Sequence, residues 1–145
     1  MSVRTKPSVQ GAGAEAATHF YVVNLSHSNK EHRYVTFWRP NDAGYAYPLS
    51  WAGRYERARV LEHLDYYNSG DNIAVPCEIV EQLAIAPAPG LIDGDAGPVV
   101  PSNAECWDVL IAYKIAETRY EPRPKFRRTP RPPRSAQERA SPPSL

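Results

Sequence analysis

The hydrophobic positions in the first third of the chain follow the patterns of β-strands. An apolar run over residues 19–25 is followed by residues 33–39, which are rich in β-branched and aromatic side chains. A turn over residues 40–44, with Pro, Asn, Asp and Gly, leads to a third candidate strand over residues 45–51. Large side chains alternate with smaller ones in this strand and are predicted to share one face: Tyr45, Tyr47, Leu49 and Trp51. We predict an antiparallel meander of three strands, with the third at an edge because Pro48 cannot donate a ladder hydrogen bond.

The apolar spacing changes to that of helices from residue 53 onward. Residues 53–68 carry an i, i+4, i+7 pattern typical of one helical face, and residues 73–75 indicate a short strand or an extended link. Pro76 suits the first position of a second helix. Ser102 and Glu105 have the spacing of a capping box before a third helix, which is expected to end near Glu117. Its apolar stripe consists of Ala104, Trp107, Leu110, Ile111 and Ile115.

These elements predict a single α+β domain over residues 18–118. A small antiparallel sheet of about three strands would carry two or three helices packed on one face. Residues 1–17 are small and polar and predict a flexible lead, whereas residues 119–145 lack a periodic apolar face and predict a disordered tail. The first 17 residues lack the apolar run of a secretory signal, and we expect a protein of the cytoplasm that does not enter membranes.

The charge distribution divides the chain into an acidic body and a basic tail. The net charge of the whole chain is +1, but residues 1–118 carry nine Lys/Arg against fourteen Asp/Glu, and residues 119–145 carry eight against two. Arg and Pro alternate through the tail, which keeps the cations extended. This pattern is typical of a segment that binds nucleic acid, binds an acidic protein or only keeps the chain in solution. The candidate contacts in the tail are Arg123, Lys125, Arg127, Arg128, Arg131 and Arg134.

Seven aromatic residues lie between residues 32 and 55, and their number exceeds what one sheet face needs for a core. A three-stranded sheet that helices cover on one side leaves its other face in water. Rings on that face would form a recognition surface, since exposed aromatic clusters mark binding sites. We predict Tyr34, Trp38, Tyr45 and Tyr47 as this partner-binding surface, with burial of the rings in the core as the alternative.

The same stretch resembles a family. The segments W-R-P-N-D-A-G-Y (38–45) and W-A-G-R-Y-E-R-A-R-V (51–60) are similar to a W-x-P-x-x-x-G-Y … A-G-x-Y pattern of small bacteriophage and prophage accessory proteins. N-I-A-V-P, at residues 72–76, is a second such segment. The resemblance implies a phage or prophage setting and a role in acting on the host, and it supplies no catalytic residues.

Candidate catalytic and metal-binding residues are few and poorly spaced. The histidines and the two cysteines, Cys77 and Cys106, match no zinc signature, and Asp93 and Asp95 lack the further oxygens of a calcium loop. We expect packed, reduced thiols, no metal and no cofactor. A Cys77 nucleophile at a helix start, with His63 as its base, would make a small hydrolase, the third hypothesis.

The favoured hypothesis is a non-enzymatic binding protein that engages a host protein through its aromatic sheet face. In the alternative hypothesis the rings stack on bases and the tail binds phosphates, which makes a nucleic-acid-binding accessory protein.

Overall fold

The computed structural model describes residues 16–26, 33–88 and 97–126. Within these ranges the strands are β1 (His19–Asn24), β2 (Thr36–Trp38), β3 (Tyr45–Ala46), β4 (Tyr55–Glu56) and β5 (Asn72–Pro76). The α-helices are α1 (Arg57–Glu62), α2 (Leu64–Tyr67), α3 (Cys77–Gln82) and α4 (Ala104–Ala112). Two 3₁₀ turns, Pro40–Asp42 and Leu49–Trp51, flank β3.

Strand β1 lies in the middle of one antiparallel sheet. On one edge it pairs with β5 from Phe20↔Pro76 to Asn24↔Asn72. The other edge is shared, because β4 pairs with the start of β1 and β2 pairs with its end. Strand β3 then extends the sheet beyond β2. The predicted α+β class is confirmed, and the described sheet has five strands where three were predicted.

Helices cover both faces of this sheet, which corrects the expectation that they pack on one face. The odd-numbered side chains of β1, such as Val23, join a core cluster with α3 and α4 that includes Trp107. The even-numbered side chains, such as Phe20, join a second cluster with α1 and α2 that includes Tyr67. Residues 20–25 are all buried, so β1 is a continuous apolar run rather than an alternating strand. Such a strand requires cover on both sides.

The middle of the chain forms shorter elements than its periodicity predicts. Residues 55 and 56, which the periodicity places in a helix over residues 53–68, instead form strand β4 and pair with β1. The remaining helix is interrupted at His63, where φ is −135° and ψ is 49°, and this break separates α1 from α2. The predicted third strand is reduced to β3, because the 3₁₀ turn Leu49–Trp51 buries Leu49 and leaves Trp51 exposed. The four large residues of that strand therefore do not share one face.

Helix α4 begins one residue later than the capping-box prediction. Asn103 is the N-cap, and its Oδ1 accepts a hydrogen bond of 2.8 Å from the Cys106 N–H. The hydroxyl of Ser102 instead accepts a 2.9 Å hydrogen bond from the indole N–H of Trp107. The helix ends at Ala112, with Tyr113 as its C-cap, before the predicted end near Glu117. Trp107 and Leu110 of the predicted stripe lie in the core.

The chain after α4 returns along the body as far as residue 126. The Ile115 N–H donates to the Ala74 carbonyl at 2.9 Å, and the Tyr120 N–H donates to the Ser69 carbonyl at 2.8 Å. Phe126 packs against the larger core cluster. Residues 119–126, predicted as the start of a disordered tail, are thus held against the domain by contacts that local sequence patterns do not reveal. The remaining predicted tail contacts, Arg127, Arg128, Arg131 and Arg134, and most of the predicted lead lie outside the described residues.

Candidate partner-binding surface

Two of the four predicted surface rings are buried in the core. Trp38 is 7% exposed and lies in the cluster beneath α1 and α2, with its ring centroid 5.2 Å from Tyr66 and 5.6 Å from Tyr67. Its indole N–H donates to Asn72 Oδ1 at 3.2 Å. Tyr34 is 6% exposed, and its hydroxyl accepts a 2.7 Å hydrogen bond from the Ala88 N–H. The predicted exposure of both rings is wrong, because α1 and α2 cover Trp38 and because Tyr34 packs beside Tyr47 and the backbone at Ala88.

The other two predicted residues lie nearer the surface. Tyr45 is 42% exposed at the end of the sheet, whereas Tyr47 is half-buried, with its ring 6.1 Å from that of Tyr34. Of the two, Tyr45 retains a large ring in water.

Trp51, which the prediction did not include, supplies the second exposed ring. It is 43% exposed at the end of the 3₁₀ turn, where its N–H donates to the Pro48 carbonyl at 3.1 Å. Buried Leu49 anchors the same turn in the core. Trp51 is one of the seven aromatic residues between residues 32 and 55, but the prediction of a regular strand over residues 45–51 did not indicate that it is exposed.

Arg39 joins the two exposed rings into one surface. Its guanidinium lies 5.1 Å from the centroid of the Trp51 ring, a cation–π distance. Its Nε donates a 2.9 Å hydrogen bond to the Tyr45 carbonyl, and its backbone N–H donates to the Gly44 carbonyl at 2.7 Å. Arg39, Tyr45 and Trp51 are named here the aromatic–arginine surface.

The loop that joins Arg39 to Tyr45 has an unusual backbone. Asn41 and Asp42 both have left-handed φ values, 58° and 59°. Asn and Asp tolerate this region better than other non-glycine residues, but it still costs free energy. The following glycine, Gly44, has a φ of +113°. Such a conformation persists only when surrounding contacts impose it.

A buried network of phenols supplies those contacts. The Tyr55 hydroxyl donates to the Arg39 carbonyl and accepts a 2.9 Å hydrogen bond from the Asp42 N–H. The Asp42 carboxylate accepts hydrogen bonds of 3.1 Å from both Arg59 and the Tyr67 hydroxyl. Arg59 also donates to the Tyr67 hydroxyl at 2.8 Å and lies 5.3 Å from the Tyr55 ring centroid. The network ties the loop to α1 and α2 and holds Arg39 in place.

At neutral pH the two phenols of the network are neutral and the Arg59 guanidinium is charged. Burial raises the pKa of Tyr55 to about 12 and also raises the pKa of Tyr67, so both phenols stay protonated. The hydrogen bond to Tyr67 raises the pKa of Arg59 above its ordinary value. Asp42 therefore faces a permanent cation and two neutral hydroxyls.

A small cleft lies against the same loop. It has a volume of about 240 Å³ and is lined by Pro40 and Asn41 on the loop and by Tyr55 and Arg59 from the network. Gly53 forms part of its wall, where a Cβ would lie 2.7 Å from the Pro40 Cα. The cleft is large enough to accept one side chain of a partner beside the aromatic–arginine surface.

The thiols and histidines do not assemble a second site among the residues that the structure describes. Cys77 and Cys106 are free and buried, and loss of water raises the pKa of Cys77 to about 12 and that of Cys106 to about 11. His63 is exposed at the break between α1 and α2. Within the described ranges, no three His, Cys, Asp or Glu side chains are grouped to hold a metal ion.

No helix in the described part of the chain is long and apolar enough to cross a membrane. Comparison with family models, curated proteins and solved structures finds no match to this chain.

Proposed function

We propose that this protein is a non-enzymatic binding protein that holds a partner protein on the aromatic–arginine surface. The observation that carries the proposal is the joint exposure of Tyr45 and Trp51 around Arg39. Tyr, Trp and Arg are the residue types enriched at the energetic centres of protein interfaces. Here Arg39 and Tyr45 flank one loop, and the next turn brings Trp51 beside Arg39.

The surface is ordered before any partner arrives. Arg39 is fixed by its bond to the Tyr45 carbonyl, and the loop beneath it is fixed by Asp42 and Tyr55. Association costs free energy for each side chain that must be immobilised, so an ordered surface loses less of its gross interaction energy. The neighbouring cleft provides the kind of pocket that a partner's anchor residue fills.

The proposal that the function is not enzymatic draws on the state of the thiols. A thiol nucleophile must be exposed and deprotonated, whereas Cys77 is buried and its pKa is raised. The resemblance of residues 38–60 to phage and prophage accessory proteins leads us to propose a bacterial host protein as the partner.

Capture followed by measured affinities tests the proposal. Tagged full-length protein is incubated with nuclease-treated bacterial lysate, and the enriched protein is purified for titration against variants. Removal of a hot-spot ring at the centre of an interface costs about 2 kcal/mol or more. We therefore expect Tyr45→Ala and Trp51→Ala each to raise Kd by about 30-fold. Arg39→Lys keeps the charge but loses the guanidinium that lies over the Trp51 ring, so it should also weaken binding.

Leu61→Ala is the matched control for loss of an exposed apolar side chain. Leu61 lies on α1 and is 45% exposed, which is close to the exposure of both surface rings. Its replacement should leave Kd unchanged. Equal binding by wild type, Tyr45→Ala and Trp51→Ala would refute the proposed surface.

A further inference from the structure

The described C-terminal segment forms one wall of a groove against the body. The groove has a volume of about 730 Å³, and the segment contributes Arg119, Tyr120, Glu121, Arg123 and Lys125, so three cations share this wall with one carboxylate. The body contributes Leu25 and Ser26 after β1, together with Gly70 and Asp71 before β5. This feature is named here the C-terminal groove, and it is separate from the residues of the aromatic–arginine surface.

The wall is attached to the body by its backbone. The Tyr120 N–H donates to the Ser69 carbonyl at 2.8 Å, and the Thr118 hydroxyl donates to the Tyr120 carbonyl at 2.6 Å. Gly70 has a φ of +119°, and a Cβ there would lie 2.0 Å from the Tyr120 carbonyl oxygen. Only glycine allows the two backbones to approach so closely. Phe126 packs against the core at the far end, so the backbone that carries the cations is held at both ends.

The wall combines an exposed ring with three exposed cations. Tyr120 is 55% exposed, and the Arg119 guanidinium lies 5.9 Å from its ring centroid. Arg123 and Lys125 are also exposed. Arg123 pairs with Glu121 at 3.2 Å, but both side chains are more than 70% exposed. An ion pair so exposed is weak, so Arg123 can exchange it for a phosphate.

We propose that the C-terminal groove binds single-stranded nucleic acid, with a base stacked on Tyr120 and phosphates held by Arg119, Arg123 and Lys125. Sites for single strands combine a cationic groove that follows the backbone with aromatic rings that stack on bases. Guanidinium groups beside the ring add a second stacking surface. An acidic protein segment would use the cations but not the flat face of Tyr120, so the exposed ring favours nucleic acid.

The sequence beyond the groove has the same chemistry. Four arginines follow Lys125 before the next acidic residue, Glu138. These arginines lie outside the described residues, so a control variant has to separate their contribution to affinity from that of the groove.

The experiment measures the affinity of the full-length protein for fluorescent dT12 and rU12 oligonucleotides by anisotropy between 50 and 300 mM salt. The groove variant is R119Q/R123Q/K125Q, and the matched control is R127Q/R128Q/R131Q, which removes the same charge from the tail. Each phosphate contact to a single strand adds about 0.7 to the slope of log K against log salt. We expect the groove variant to lose about 2 from this slope, and to lose more affinity than the control variant.

Variants of Tyr120 test the contribution of base stacking separately from the contribution of charge. Tyr120→Leu should weaken binding by about tenfold at every salt concentration, with an unchanged slope, because stacking does not release counterions. Tyr120→Phe retains the ring and should bind like wild type. Trp51→Ala should also bind like wild type, which separates this proposal from the partner-binding surface.

Three results would overturn the inference. Equal losses in the groove and tail variants, with no effect of Tyr120→Leu, would show diffuse attraction to the tail. Absence of binding at 50 mM salt would show that the groove does not take single strands. Tighter binding of a polyglutamate peptide than of either oligonucleotide would assign the groove to an acidic protein.

Discussion

Replacement of Trp38 by alanine distinguishes the core position of this ring from the surface position that the sequence predicts. A surface ring can be removed without loss of fold, whereas a buried ring leaves a cavity. Trp38 is 7% exposed, and its nearest ring neighbours are Tyr55, Tyr66 and Tyr67, with centroids between 5.2 and 6.4 Å away. We therefore expect Trp38→Ala to destabilise the folded domain strongly.

The magnitude follows from the contacts of the ring. Large-to-small substitutions of buried Trp typically cost about 3–5 kcal/mol. The lost hydrogen bond adds little, since Asn72 Oδ1 still accepts a 2.6 Å bond from Asn24 and is not left without a donor. The loss is a large fraction of the 5–15 kcal/mol typical of a whole domain. At about 4 °C per kcal/mol, it corresponds to a fall in Tm of about 12–20 °C.

Urea unfolding followed by circular dichroism and by tryptophan fluorescence measures this free energy. Trp51→Ala is the matched control, because it removes the same side chain from an exposed position. Its contact with Arg39 is a cation–π pair worth about 0.5–1 kcal/mol at a surface, so its unfolding free energy should change by no more than that. Equal stabilities for the two variants would refute the assignment of Trp38 to the core.

Two further predictions concern the C-terminal segment and the thiols. Gly70→Ala should destabilise the protein by more than Gly44→Ala: both glycines have positive φ, but only a Cβ at Gly70 meets a carbonyl, that of Tyr120 at 2.0 Å. Thermal melts compare the two variants, and equal losses would show that φ alone decides the cost. Cys77 and Cys106 should resist a thiol reagent at pH 8 in the native protein and react once it is denatured. The folded pKa values of the two thiols, about 12 and 11, exceed the unfolded value near 9. The stability that the buried thiols contribute is therefore complete below pH 9 and declines as pH rises toward 11. Urea titrations across that pH range measure the decline. Rapid native labelling, or stability independent of pH above 9, would contradict the burial of the thiols.

Local patterns were sufficient to locate some of the helices and strands. Helix α4 follows from a 3.6-residue spacing that puts Trp107 and Leu110 on its buried face. Strands β1 and β2 follow from runs of β-branched and aromatic residues, and the α+β class follows from the order of these elements. Such patterns are local because the spacing of apolar side chains, or a continuous run of them, indicates the type of element without reference to its neighbours.

The residues of the proposed binding surface were predicted only in part. Tyr45 was identified from the aromatic cluster and is exposed, but Trp38 and Tyr34, from the same cluster, are buried. The pattern cannot separate these cases, because an aromatic side chain is equally suited to a core and to an interface. Arg39 becomes part of the aromatic–arginine surface only because the turn of residues 49–51 places Trp51 beside its guanidinium.

The sequence by itself determined the secondary-structure periods, the composition of the acidic body and basic tail, and the residue types available for recognition. The tertiary structure alone decided which rings reach water. Residues 57–67 fold over the second face of the sheet and bury Trp38, and residues 115–126 return along β5 and carry Tyr120 to the surface. The burial of Trp38 and the exposure of Tyr120 both depend on contacts between distant parts of the chain. Burial is a property of those contacts rather than of any local pattern.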